Sequence, residues 1–435
     1  MRSVLLSALV LLVTTQTLAQ DLVFQHATIY TITGGTIEDG AVRVSNGRIE
    51  AVGAAADVSA GGAEVIDLRG KVLMPGIVDT HSHVGLVNRP RAAGVETNEG
   101  SGPIQPALRA IDAINPHDAS IRQALAGGVT TANIMPGSGN AMGGQTAYIK
   151  LRGNTVDEML INPEGISGGM KMANGENPKR FNSGQKKGPG TRMATAALQR
   201  DVFVDALNYR KKRQAAEKDK KKKIPDRDLG LEAVLEILDR ERVVHFHSHR
   251  ADDIMTAIRL SDEFDFRLVL QHGTLSNEVV GEIVQRAIPV SMTLVDSPGG
   301  KHEIMGLLSS TPVLLEQAGV LVALNSDDWV TESRFLLRTA ALAVRDGMSR
   351  DAALAALTIN PAQMLDLGER LGSIEPGKDA DLVILSGEPF SVYTQVLATY
   401  IDGVKVFDRS RPTDERYATG GFAIADRYPR LEPAR

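Results

Sequence analysis

Cysteine is absent from all 435 residues. That excludes a disulfide framework and a lipid-anchored cysteine, so stability must rest on the core and on whatever the chain binds. Aromatic residues are scarce at 4%, whereas 42 glycines are present, a balance suited to many tight strand-to-loop turns. A strong excess of either charge is also missing: the formal net charge is −5, which gives no reason to expect nucleic acid as a partner. With 43% hydrophobic and 23% charged residues, the composition supports a sizeable core and argues against wholesale disorder.

Near the N-terminus, VLLSALVLLV (4–13) is an apolar run too short to span a bilayer comfortably. Arg2 precedes it and Thr17-Leu18-Ala19 follows, the order of an export signal (1–19) cleaved after Ala19. A retained N-terminal anchor is the alternative. Export implies a periplasmic or secreted protein with no stable membrane anchor after cleavage.

Residues 20–72 read as β structure, with Asn46-Gly47 as a hairpin turn, and a second β-rich piece covers 366–408. Between them, in 73–365, short apolar strands alternate with amphipathic helices. Eight strands are expected, within 72–83, 129–135, 147–151, 168–173, 243–249, 267–273, 288–294 and 319–328. Helical patterns fill gaps at 252–263, 275–287, 333–346 and 350–357. Eight strand–helix units predict an α/β fold, a (β/α)8 TIM barrel whose site forms at the C-terminal ends of the strands. The basic run 210–223, within an insertion at about 205–228, reads as a solvated helix or loop and lacks the interleaved aromatics of a nucleic-acid surface. The polar tail 409–435 carries no motif.

The strand ends are where the polar residues collect. They read Asp79-Thr80-His81-Ser82-His83, His247-Ser248-His249, Gln271-His272 and Ser326-Asp327-Asp328. Imidazoles and a carboxylate meeting from several strands are what a borderline divalent cation requires. Three of the nine histidines, His245, His247 and His249, alternate along one stretch, which puts them on one face of a strand. That strand rises about 6.6 Å per two residues, so one ion cannot reach all three.

PGIVDTHSH (75–83), GGVTTANIMPG (127–137), HFHSHRADDI (245–254), LVLQHG (268–273), LNSDD (324–328) and the stretch 358–385 together resemble the amidohydrolase superfamily. The likeness spans roughly residues 22–408 and leans toward the branch of imidazolonepropionase-like and Xaa-Pro dipeptidase-like proteins. It implies a small β-sandwich, built from the N- and C-terminal segments, beside the barrel. It also implies divalent metal, one or two ions, most simply Zn with Mn or Fe as alternatives. By the same likeness, the ligands are His81, His83, His247, His272 and Asp327, with Asp328 turned away. A bridging ligand falls to Lys171, once carboxylated, or to Glu176, ahead of Lys150; a mononuclear site needs none of them.

The implied chemistry is metal-assisted attack of water on an amide carbon. Asp327 serves as general base and then acid, and His249, above His247, as a donor to the substrate oxygen. His245 lies one layer deeper as a hydrogen-bonded core residue. Arg180, Arg250 and Lys301, with Lys179 and Arg192 near them, suit the carboxylate of a dipeptide or N-acyl amino acid. The partner is then a small-molecule substrate, with a homo-oligomer left open. Rival readings are cyclic-amide hydrolysis, mononuclear deamination, for which no catalytic glutamate is visible between strands five and six, and a non-catalytic metal-binding barrel. Mass spectrometry of the exported protein should find Gln20 as its first residue; intact residues 1–19 would overturn the cleaved signal.

Overall fold

The computed structural model describes residues 21–87, 95–162, 164–184, 188–293, 300–328 and 330–421. The expected export signal therefore lies outside the described residues. Among the described residues, no helix is long and apolar enough to cross a membrane.

Both ends of the chain meet in one sheet. Its strands are β1 (Leu22–Tyr30), β2 (Thr36–Ser45), β3 (Arg48–Ala54), β4 (Glu64–Asp67) and β5 (Val72–Pro75). The middle of the chain supplies β6 (Ile77–Ser82), β7 (Val129–Ile134), β8 (Met142–Gln145), β9 (Ala147–Lys150), β10 (Met170–Ala173), β11 (Val244–Ser248), β12 (Leu268–His272), β13 (Val290–Met292) and β14 (Val322–Leu324). From the C-terminal part, β15 (Leu382–Leu385), β16 (Val396–Ile401) and β17 (Val404–Asp408) return to the first sheet, in the order β17-β16-β15-β5-β1-β2-β3 with β4 on β1. The expected pairing of N- and C-terminal segments is thus present, but as one eight-stranded sheet in place of two separate layers. Its apolar residues Phe24, Ile29, Val42, Leu73, Leu382 and Tyr400 share a core of their own. The β2–β3 turn has φ of +50° at Asn46 and +76° at Gly47, as the hairpin signal requires.

All eight expected stretches contain a strand, but the first is divided. Val72–Pro75 pairs with β1 and β15, and only after Gly76 does the chain enter the second layer as β6. Six strands form the sheet β14-β13-β12-β11-β10-β8, parallel except for β8, and three form β6-β7-β9. Strand β9 runs antiparallel to β7, against the expectation of a parallel third strand. The reason is local: β8 and β9 are separated by Thr146 alone, so one descending stretch borders both sheets. No single hydrogen-bonded ladder runs round the whole set among the described residues. A parallel bridge between Ser82 and Asp328 nevertheless joins the end of β6 to the loop after β14.

Helices lie where the apolar spacing placed them. Ala251–Phe264 buries Ile254, Ala257 and Ile258, the i, i+3, i+4 face of an amphipathic helix. The basic run continues a 27-residue helix, Arg192–Lys218, whose buried positions end with Ala216. The tail, featureless in sequence, forms a helix at Pro412–Thr419, and Arg334 donates to the carbonyl of Tyr417 at 3.0 Å.

The layers are joined by a buried charge cluster. Lys150, at the end of β9 and 2% exposed, pairs with Asp379 at 2.8 Å, Asp381 at 3.0 Å and Asp402. Those carboxylates hold its ammonium in the charged form against the cost of burial, raising its pKa. Removing one partner of such a cluster leaves uncompensated buried charge. Lys150→Met should therefore lower stability by about 3–5 kcal/mol, read by urea or thermal unfolding; a change under about 1 kcal/mol would show that the cluster is only a surface-like pair.

Candidate metal centre

Strand ends bring the chemistry together. The ligand atoms of His81, His83 and Asp327 lie within 4.8 Å of one another, and so do those of His247, His249 and His272. Asp327 faces both groups, with Oδ1 3.1 Å from His83 Nε2 and 3.4 Å from His81 Nε2, and Oδ2 3.9 Å from His272 Nε2.

Backbone geometry explains how two of these residues face inward. Gln271 points to the face that carries His245, where its amide meets His245 Nδ1 at 3.1 Å. Regular alternation would then send His272 outward. Instead His272 has a φ of +72°, and its ring lies 4.3 Å from that of His247. Asp327 is likewise left-handed, with a φ of +44°. Such conformations cost about 1–3 kcal/mol each and persist only when the surroundings hold them. Here the Asp327 N–H donates to the His81 carbonyl at 2.9 Å. Asp79 holds the adjoining loop by accepting from the Ser326 backbone and hydroxyl, and burial pushes its carboxyl up to about 7.

The rings are set for a cation. His83 Nδ1 donates to the Met135 carbonyl at 2.7 Å, which leaves Nε2 with its lone pair. His272 Nδ1 contacts Thr293 Oγ1 at 3.1 Å; that hydroxyl already donates to Asn325 at 2.7 Å, so it accepts from the ring. His249 Nδ1 is held by Thr274 at 2.7 Å. Among buried side-chain atoms, His249 Nε2, His272 Nε2 and His247 Nδ1 make no hydrogen bond. Burial pushes the pKa of His81, His247, His249 and His272 well below the ordinary imidazole value, which keeps the lone pairs available. Threonine-anchored imidazoles with unpartnered buried nitrogens, beside the carbonyl-anchored His83, fit a divalent ion.

The three candidates for a bridge are separated by geometry. Lys171 is fully buried on β10, its Nζ 2.9 Å from His81 Nε2, and burial pushes its amine down to about 7. Glu176 starts the helix Glu176–Gly184 and pairs with Arg180 at 3.1 Å. Lys150 sits in the charge cluster described above. Asp328 is turned away as expected, accepting from the Ser333 N–H and hydroxyl at 2.8 and 2.9 Å.

Two expected substrate contacts differ. His249 does not stand one strand step above His247, because β11 ends at Ser248 and the chain turns into the next helix. Its ring folds back to 4.6 Å from both His247 and His272, inside the candidate ligand cluster. Arg250 pairs with Asp252 at 2.8 Å, in the first turn of that helix, and does not line the cleft. Arg192 is engaged too, with Asp253 at 2.8 Å. A cleft of about 460 Å³ does open onto His83, His247 and Asp327, and Arg180, Lys301 and Asn177 border it. Asn98 and Ser138 also border it and, like Asn177, carry no sequence signal, since a lone amide or hydroxyl has no spacing that marks it.

His245 sits deeper, as expected. Its ring joins Tyr148 Oη at 3.0 Å and Gln271 at 3.1 Å, and burial pushes its pKa down to about 3.

The amidohydrolase family model matches residues 72–406. An amidohydrolase from Thermotoga maritima, known by crystal structure, is 42% identical, with a TM-score of 0.84 over 89% of this chain and 100% of that one. The amidohydrolase tasK of Hapsidospora irregularis is 32% identical over 368 residues, which cover 80% of this chain but only 37% of tasK. An imidazolonepropionase of Mesorhizobium japonicum is 26% identical over 80% of this chain and 87% of its own length. His245→Asn should lower stability by about 1–3 kcal/mol with metal content unchanged, measured by unfolding and elemental analysis; loss of metal would move His245 into the ligand set.

Proposed function

The chain belongs to the amidohydrolase family, and on that footing we propose that it hydrolyses an amide C–N bond of a small molecule with one or two divalent ions. The observation that carries this reading is the pair of three-residue clusters at the floor of an open cleft, with Asp327 facing both. His81, His83 and Asp327 would hold one ion, and His247 with His272 the other. Lys171 is the bridging choice: its amine lies against His81, and a lysine whose pKa is depressed has the neutral form that carboxylation needs. The barrel architecture belongs to the same reading, supported by the β8–β9 stretch shared between two sheets and by the Ser82–Asp328 bridge.

A bound divalent cation supplies Lewis acidity and an activated water at neutral pH, Zn being the simplest choice for this nitrogen-rich set. The remaining work falls to side chains. Asp327 takes the proton from the attacking water and returns it to the leaving nitrogen, using the carboxylate that faces His81, His83 and His272. Lys301 and Arg180 at the cleft wall would grip a substrate carboxylate, which favours a dipeptide or N-acyl amino acid. Arg180 already shares its charge with Glu176, so Lys301 is the stronger of the two. A cyclic amide is the second reading, favoured by the imidazolonepropionase likeness along most of both chains.

Asp327→Asn should reduce kcat by at least about 100-fold on the best substrate found among dipeptides and N-acyl amino acids. Lys301→Met should raise KM about 10–100-fold on those substrates and leave turnover of uncharged amides unchanged. Steady-state kinetics on metal-loaded enzyme reads both. Turnover of cyclic amides alone would replace the dipeptide reading.

A further inference from the structure

Glu303 follows β13 in a short 3-10 turn, His302–Ile304, and nothing in the sequence marks it. Its side chain is only 1% exposed, an expensive place for a carboxylate unless both oxygens are occupied. One oxygen is. Oε2 accepts from the Glu176 N–H at 2.8 Å and lies 3.7 Å from Arg192, whose guanidinium is bonded mainly to Asp253. Gly175 keeps that position open: a Cβ there would lie 2.6 Å from Oε2. The carboxylate is therefore oriented by the fold.

The other oxygen, Oε1, is buried and makes no hydrogen bond. It faces His249 Nε2 at 3.8 Å, and that nitrogen is also buried and unpartnered. A hydrogen bond does not span such a distance. Two donor atoms each about 2.0–2.2 Å from one ion do. His249 is in turn grouped with His247 and His272, all three ligand atoms within 4.8 Å.

We propose that Glu303 is the fourth ligand of a divalent-cation site made with His247, His249 and His272, distinct from the His81, His83 and Asp327 site. The proposal rests on the metal-dependent reading above and extends it by two residues, Glu303 and His249. Three neutral imidazoles and one carboxylate leave the ion with a net positive charge beside the cleft. The charge on Glu303 is met by the ion, which accounts for a buried oxygen that the protein itself leaves unpaired.

Chelator-stripped full-length protein, titrated with Co²⁺, should take up two ions per chain by elemental analysis. Glu303→Gln should keep the first ion and bind the second at least about 10-fold more weakly, with folding checked by circular dichroism. Anomalous diffraction from Co²⁺-loaded wild-type crystals needs no variant, and should place a Co²⁺ within bonding distance of Glu303 Oε1 and His249 Nε2. A single ion at His81, His83 and Asp327, or a second ion out of reach of Glu303, overturns this site and leaves the amide-hydrolase reading intact. No bound ion at all overturns both.

Discussion

Imidazoles from three strands and a carboxylate pack against one another at the centre of this protein with their lone pairs converging. In water those groups would repel little; buried, they need either protons or a cation between them. Protonation is opposed by the burial that surrounds them, which holds the histidines neutral. The rest of the structure is arranged to keep this arrangement in place despite its cost.

Part of that support is close at hand. Thr274, Thr293 and the Met135 carbonyl each hold the Nδ1 side of a ring, so the opposite nitrogen is aimed at the site. Left-handed backbone turns His272 against the alternation of its strand and Asp327 inward from the loop after β14, and the hydrogen bond from the Asp327 N–H to the His81 carbonyl helps to stabilise the second turn. Further out, Lys150 and its three aspartates lock the sheet formed by the chain ends to the layer that carries the site. A shift between those layers would reach the cluster through β6, which leaves the first sheet at Gly76 and ends in the motif bearing His81 and His83.

Much of the candidate site was legible because a period of two, broken by polar residues at strand ends, is visible in one dimension. The likeness to the amidohydrolase superfamily then singled out His81, His83, His247, His272 and Asp327 among those polar residues, and they do converge. Other features were not legible. The inward turn of His249 depends on where β11 stops, the antiparallel β9 on a one-residue gap at Thr146, and the burial of Glu303 on contacts with residues 127 positions away. Arg250 shows the converse: a cation beside a motif looks available for substrate until a neighbouring aspartate is seen to hold it.

By itself the sequence determined the family, the α/β character, the pairing of the chain ends and the residue types that meet at the strand ends. These follow from local periodicity, from motifs whose chemistry needs particular side chains and, for the paired chain ends, from the family likeness that those motifs carry. Only the tertiary structure decided which oxygens and nitrogens face each other, which charges are already paired, and that Lys171 lies against His81. Those outcomes depend on distances of a few ångströms between segments far apart in the chain, and spacing along the chain does not encode them.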